Sequence, residues 1–151
     1  MNSIFKAFIE ASILLFILAS CKSNNNAQFP WELGENTLSV TDNADDILLK
    51  FTDGTLTPSG ATFIIENNGD EEIAFGQMYA VQIYVKGKWY NIEEYVDWTL
   101  ELFTLFPNEN YSFSADWTQL YGILPLGKYR LIKEFSISHF PIYVACEFTI
   151  S

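Results

Sequence analysis

The chain has one histidine, two cysteines and only eight basic residues against nineteen acidic ones. Each shortage excludes something. Nucleophilic catalysis needs a base beside the nucleophile, and the single His139 adjoins Phe140 and Pro141, where a connection between the last two strands is expected. It reads as a surface loop residue. There is no Gly-x-Ser-x-Gly elbow, no phosphate-cradling loop and no Cys/His cluster with metal-ligand spacing. Asp42, Asp45 and Asp46, and likewise Asp70, Glu71 and Glu72, lack the spacing of an EF-hand. Glu93, Glu94 and Asp97 are the one set to weigh as a carboxylate pair for glycoside hydrolysis. In so acidic a chain they read as solvated loop carboxylates. No catalytic residue, metal or cofactor is expected. The net charge of −11 argues against nucleic-acid partners, which demand Lys and Arg for phosphate neutralisation. It argues equally against docking on anionic lipid head groups by charge.

Internal repeats are also missing, as is any long helical period after residue 21. What remains is 49% hydrophobic and 17% aromatic over 151 residues, enough apolar surface for one domain with a real core.

Residues 1–20 read as a processing segment, with Lys6 as a thin basic region and residues 11–18 as the apolar stretch. That stretch is short for a permanent membrane span. Leu18-Ala19-Ser20-Cys21 resembles a bacterial lipobox, which implies diacylglyceryl-Cys21 as the mature N-terminus. Glu10 departs from the usual pattern. Removing residues 1–20 deletes only Lys6 and Glu10, so the remainder keeps the same net charge of −11. Two or more acyl chains give stable anchoring where one does not. Membrane attachment through Cys21, on the extracytoplasmic face, is therefore expected. Residues 22–28, KSNNNAQ, form a polar tether. The expected organisation is a leader at 1–20, lipidated cysteine, tether and irregular lead-in at 21–46, and a β-sandwich at 47–151.

The globular part shows strand patterns separated by turn residues. Residues 47–52 form a short strand closed by Asp53-Gly54, and Ala61, Phe63 and Ile65 share one face of the next. Residues 67–70 read as a loop. Tyr79, Val81, Ile83 and Val85 alternate with Ala80, Gln82 and Tyr84. A three-residue loop at 86–88 is the preferred hairpin, because it pairs Val85 with Trp89 and turns Trp89 inward; a two-residue loop would set Trp89 beside Tyr84. Residues 93–106 fit either a strand or an irregular crossover. Tyr111, Phe113 and Ala115 alternate with polar neighbours, and Asp116 is placed to cap one helical turn at 117–121. In the next strand Tyr129 and Leu131 face one way, while Arg130, Ile132 and Glu134 face the other. Arg130 and Lys133 are expected to face solvent. The last strand puts Cys146 in the core as a small buried hydrophobe. About seven short strands argue for an all-β sandwich.

Gly60-Ala61-Thr62-Phe63, Ile65-Glu66-Asn67-Asn68, Gly87-Lys88-Trp89-Tyr90 and residues 124–131, LPLGKYRL, resemble a bacterial immunoglobulin-like domain. The type is the one carried by extracytoplasmic lipoproteins. The similarity covers roughly residues 48–135, with 136–151 as the final strand. It implies an antiparallel immunoglobulin-like sandwich and no activity. It casts Tyr129 as the corner tyrosine, with its ring in the core and its hydroxyl on upstream backbone. It puts Leu131 where antibody-type domains hold a cysteine, so packing with Trp89 nearby must replace the inter-sheet disulfide.

Function is then expected to be recognition of a protein or a cell-envelope polymer. Tyr95, Trp98, Phe103 and Phe106 are the candidate surface, since they supply more aromatic area than a crossover requires unless they pack inward. The alternatives are an accessory subunit of an envelope complex, and a carbohydrate-binding module or weak carboxylate hydrolase.

Overall fold

The computed structural model describes residues 29–36, 38, 40, 46–93 and 96–151. The expectations for the leader, Cys21, the tether, Asp42, Asp45, Glu94 and Tyr95 lie outside these residues.

The chain forms an all-β sandwich of two antiparallel sheets. In order, the elements are β1 (Leu33–Glu35), β2 (Ile47–Phe51), β3 (Gly60–Asn67), β4 (Ile73–Gly76), β5 (Ala80–Val85), β6 (Lys88–Ile92), β7 (Leu102–Leu105), β8 (Asn110–Asp116), α1 (Thr118–Tyr121), β9 (Gly127–Ile137) and β10 (Phe140–Ile150). The smaller sheet is β2-β3-β8. The larger has seven strands, centred on β9. One edge of β9 pairs with β10 along its whole length. The other edge pairs with β5 near its start and with β4 near its end. Beyond these lie β7, on β4, and β6 followed by β1, on β5.

Ten strands are described where about seven were expected. The additional ones are β1 and β4, of three and four residues, and β7, of four, which gives the open stretch 93–106 a strand at its end. Elements this short give too few alternations to register as a period. β1 also revises the lead-in, which is a strand on the edge of β6 with Phe29 and Trp31 packed against the core. Trp31 Nε1 donates to Tyr121 O at 2.5 Å, which ties the lead-in to α1.

The core lies between the sheets, on one parity of each strand. Ile47 and Leu49, Phe63 and Ile65, Val81 and Ile83, Tyr129 and Leu131, Val144 and Phe148 are all buried there. Cys146 shares that face as a buried free thiol, its pKa pushed up by burial. The corner before β9 is closed by hydrogen bonds from side chains. Tyr129 Oη donates to Pro125 O at 2.8 Å, and Trp117 Nε1 to Pro58 O at 2.8 Å. The Trp117 ring stacks on Phe148 at 5.3 Å, and Tyr129 stacks on the same ring at 5.8 Å. Burial pushes the Tyr129 phenol up to about 12. Gly60 belongs to this closure: a Cβ there would stand 2.5 Å from the Ala115 carbonyl oxygen, so only glycine lets β3 and β8 approach. Asp116 Oδ1 accepts from Thr118 N at 3.0 Å and Thr118 Oγ1 at 2.5 Å, but it precedes the N-cap position, which Trp117 occupies without a side-chain cap, so the expected Asp116 cap is not formed.

Two further expectations fail. The β5–β6 hairpin has a two-residue loop: Val85 pairs with Lys88, and Tyr84 with Trp89. Lys86 and Gly87 take φ of 48° and 87°. Positive φ at both central residues is the type I′ turn, whose twist matches that of the strands it joins. Trp89 therefore lies on the outer face. Its ring finds cover there, 5.0 Å from Tyr84 and 4.5 Å from the Arg130 guanidinium. Turn geometry decided the register, and the apolar area was buried by another route.

The second failure concerns Arg130 and Lys133, which are only 6% and 2% exposed. Arg130 lies beneath Trp89, and its Nε donates to Gln82 Oε1 at 2.7 Å. Lys133 shares the parity of Tyr129, Leu131 and Phe135, and so points between the sheets.

Candidate functional site

The two sheets differ in width, and the candidate site follows from that. β2 lies against β10 at one side of the sandwich. At the other side the small sheet ends with β8, while the large sheet continues through β4 to β7. The uncovered strip forms the floor of a cleft of about 420 Å³. Phe75, Tyr79 and Phe103 line it from the large sheet and its loops, Tyr111 and Phe113 from β8, and Trp98 from the crossover. Phe75 stacks on Phe103 at 5.6 Å, and Tyr111 stands 5.3 Å from both rings. Trp98 meets Tyr79 edge-on at 5.1 Å.

Lys133 lines the same cleft, and a break in the sheet holds it there. Phe75 pairs with Phe135, and Ala80 with Ile132. Residues 76–79 thus stand opposite only residues 133 and 134. The extra residues form a bulge that takes backbone carbonyls out of the ladder. Lys133 Nζ donates to two of them, Gly76 O at 2.7 Å and Met78 O at 3.2 Å. The ammonium also lies 4.9 Å from the Phe113 ring centre and 5.4 Å from that of Phe75. Ring faces attract cations at such distances. Even so, burial draws the amine down to about 8.

Asp116, Gln77, Gln119 and Ser114 supply the polar part of the lining. The Thr118 side chain, and then its backbone N–H, hold the Asp116 carboxyl below the usual carboxylate range. Among the described residues no group of three His, Cys, Asp or Glu side chains is placed to hold a metal.

The sequence-derived candidates therefore separate. Trp98 and Phe103 meet in the cleft. Phe106 does not; it is 53% exposed and lies just past the end of β7. Leu131 is fully buried in the core and Tyr129 sits in the corner, while Trp89 is on the outer face, away from both. Lys133, Phe75, Tyr111 and Phe113 went unrecognised. The available signal was parity, since Lys133 falls between Leu131 and Phe135 on a face that is otherwise wholly apolar.

No curated protein matches the chain. Residues 43–149 match the family described as the bacterial Ig-like domain. That span includes both sheets except β1 and the last residue of β10, together with the corner tyrosine and every described residue of the cleft. The chain belongs to the bacterial Ig-like domain family.

Proposed function

We propose that this protein is a lipid-anchored, extracytoplasmic recognition module that binds an envelope protein or polymer through the aromatic cleft and performs no turnover. The observation that carries this reading is the cleft itself. It is a concave site in which six aromatic rings stand beside polar side chains, left open by the unequal sheets. Membership of the bacterial Ig-like family supports a surface module, and the Leu18-Ala19-Ser20-Cys21 sequence supports lipid attachment.

Two measurements test it. A photo-crosslinking side chain at position 98 should capture one discrete partner in cells. The same group at position 140, where Phe140 is exposed at the β9–β10 turn, should not. Equal labelling from both positions would overturn the assignment of the cleft. The anchor is tested separately: the mature protein should partition into detergent, and Cys21→Ala should release it. Unchanged partitioning of that variant would end the lipoprotein reading.

A further inference from the structure

Lys133 is a cation inside an apolar wall, and its surroundings do not neutralise it. An ammonium carries three N–H donors. Two are used by Gly76 O and Met78 O. Among the described residues no acceptor takes the third, and Lys133 takes part in neither the Lys50–Glu66 nor the Lys128–Glu147 ion pair. This occurs in a chain with nineteen acidic side chains. Capping the bulge does not need a charge, because water or a hydroxyl satisfies carbonyls as well. A buried charge is ordinarily paired, and here the open side of the charge is the cleft.

We propose that the cleft binds an organic-acid group carried by the recognised partner, with its carboxylate on Lys133 Nζ and its apolar or aromatic body between Trp98, Phe103 and Phe113. The inference rests on the cleft being a recognition site and adds the chemistry of what it recognises. The carboxylate supplies the acceptor that the third N–H lacks, and a charge-assisted hydrogen bond is stronger than a neutral one. The rings supply stacking area for the body. Asp116 sets a limit on affinity. Its carboxylate lines the same cleft and repels an acid, although its contacts with Thr118 and with solvent weaken that effect.

The test is titration calorimetry on the full chain in a non-ionic detergent, with 3-phenylpropionate and its uncharged analogue 3-phenylpropionamide as probes. The acid should bind at least roughly tenfold more tightly than the amide, the ratio expected for one charge-assisted contact. Lys133→Met should remove that preference and leave amide binding in place. Asp116→Asn should tighten the acid by a few-fold. Acid affinity should also fall as pH rises past about 8, where Lys133 loses its proton. Tyr79, Tyr111 and Asp116 are the other titratable groups lining the cleft. The amide should show no such dependence. If acid and amide bind equally, the role of Lys133 is wrong and the cleft remains a recognition site. If neither binds while position 98 still crosslinks a partner, the ligand class is wrong and the recognition reading stands. Should Lys133→Met fail to fold, the pH profile and Asp116→Asn decide the matter on the natural side chain.

Discussion

The corner around Trp117 and Tyr129 and the cleft around Phe103 and Lys133 are built from the same materials. Both are crowded with aromatic rings, and both use a side chain to satisfy backbone carbonyls that the ladder has released. In the corner the donors are neutral, an indole N–H on Pro58 and a phenol on Pro125. In the cleft the donor is an ammonium on Gly76 and Met78. The corner is covered by α1 and by the turn at residues 57–60, so its rings are sealed. The cleft lies past the last strand of the small sheet, so its rings meet solvent. Burial of a neutral donor stabilises a fold at little electrostatic cost, whereas burial of a charge leaves an unmet demand. The difference separates architecture from a site.

The comparison is most easily broken at Trp117. Its ring is fully buried, stacks on Phe148 and meets Phe63 edge-on. Trp117→Ala should lower stability by about 3–5 kcal/mol, the range for deleting a large core aromatic. Urea unfolding followed by circular dichroism measures this. A loss under about 1 kcal/mol would mean that the corner is no better packed than the cleft.

The next effect is a rise of stability with pH that the cleft should produce and the corner should oppose. Lys133 titrates near 8 when folded, against 10.5 as the ordinary value. Between these values the unfolded chain binds more protons, so stability rises with pH. The gain is complete above 10.5 and is lost as pH falls through about 8. The shift corresponds to about 3 kcal/mol at its full extent. Tyr129, pushed up to about 12, acts in the opposite sense above pH 10, where the unfolded phenol ionises first. Cys146, whose thiol burial also pushes up from 9.0, acts in the same opposing sense above about pH 9, so the clean window is pH 8–9. Denaturation midpoints should rise across it, and Lys133→Met should flatten the rise. A flat profile in the natural protein would mean that Lys133 is solvated.

Much of this contrast was legible in the sequence. The alternation at 61–65, 79–85, 129–131 and 142–150 is strong because one face of each strand is buried and the other is not. Residues 124–131 marked the corner, because a Leu-Pro-Leu-Gly turn running into Lys-Tyr-Arg-Leu carries its own geometry. The cleft was half legible. Trp98 and Phe103 stood out by composition. Their partners Phe75, Tyr111 and Phe113 looked like ordinary core residues, and nothing local shows that the small sheet stops at β8. Lys133 was misread because charge was given more weight than parity. Trp89 was misplaced for the converse reason, since the wish to bury a large ring was given more weight than the twist of the turn. Both errors arise where a local preference competes with register, and register won each time.

A smaller effect sharpens the corner. Tyr129→Phe keeps the ring, so it isolates the hydroxyl bond to Pro125. The expected loss is about 1 kcal/mol, the net value of one hydrogen bond. Comparison with Lys133→Met at pH 7 is informative. That variant also deletes donors to backbone carbonyls, yet it removes a buried charge as well, and the two effects oppose each other. Thermal unfolding of both should show a clear decrease for the tyrosine and a smaller change for the lysine.

The smallest effect bears on which aromatic residues belong to the site. Phe103 and Phe106 are close in sequence and equal in chemistry, and both mark the crossover by composition. In β7 Phe103 pairs with Phe75 and shares the inward parity of Leu105, which pairs with Ile73. Phe106 lies just past the end of β7, beside the Asn108 turn, where its backbone N–H donates to Glu109 Oε2 at 3.0 Å. That bond does not use the ring. Phe106→Ala should therefore change stability by less than about 0.5 kcal/mol, as expected for an exposed side chain away from special geometry. It should also leave 3-phenylpropionate affinity unchanged. Phe103→Ala should weaken that affinity severalfold, because it removes one wall of the cleft. If Phe106→Ala weakens binding as much as Phe103→Ala, the ligand sits on the outer surface of the crossover and the cleft is only packing.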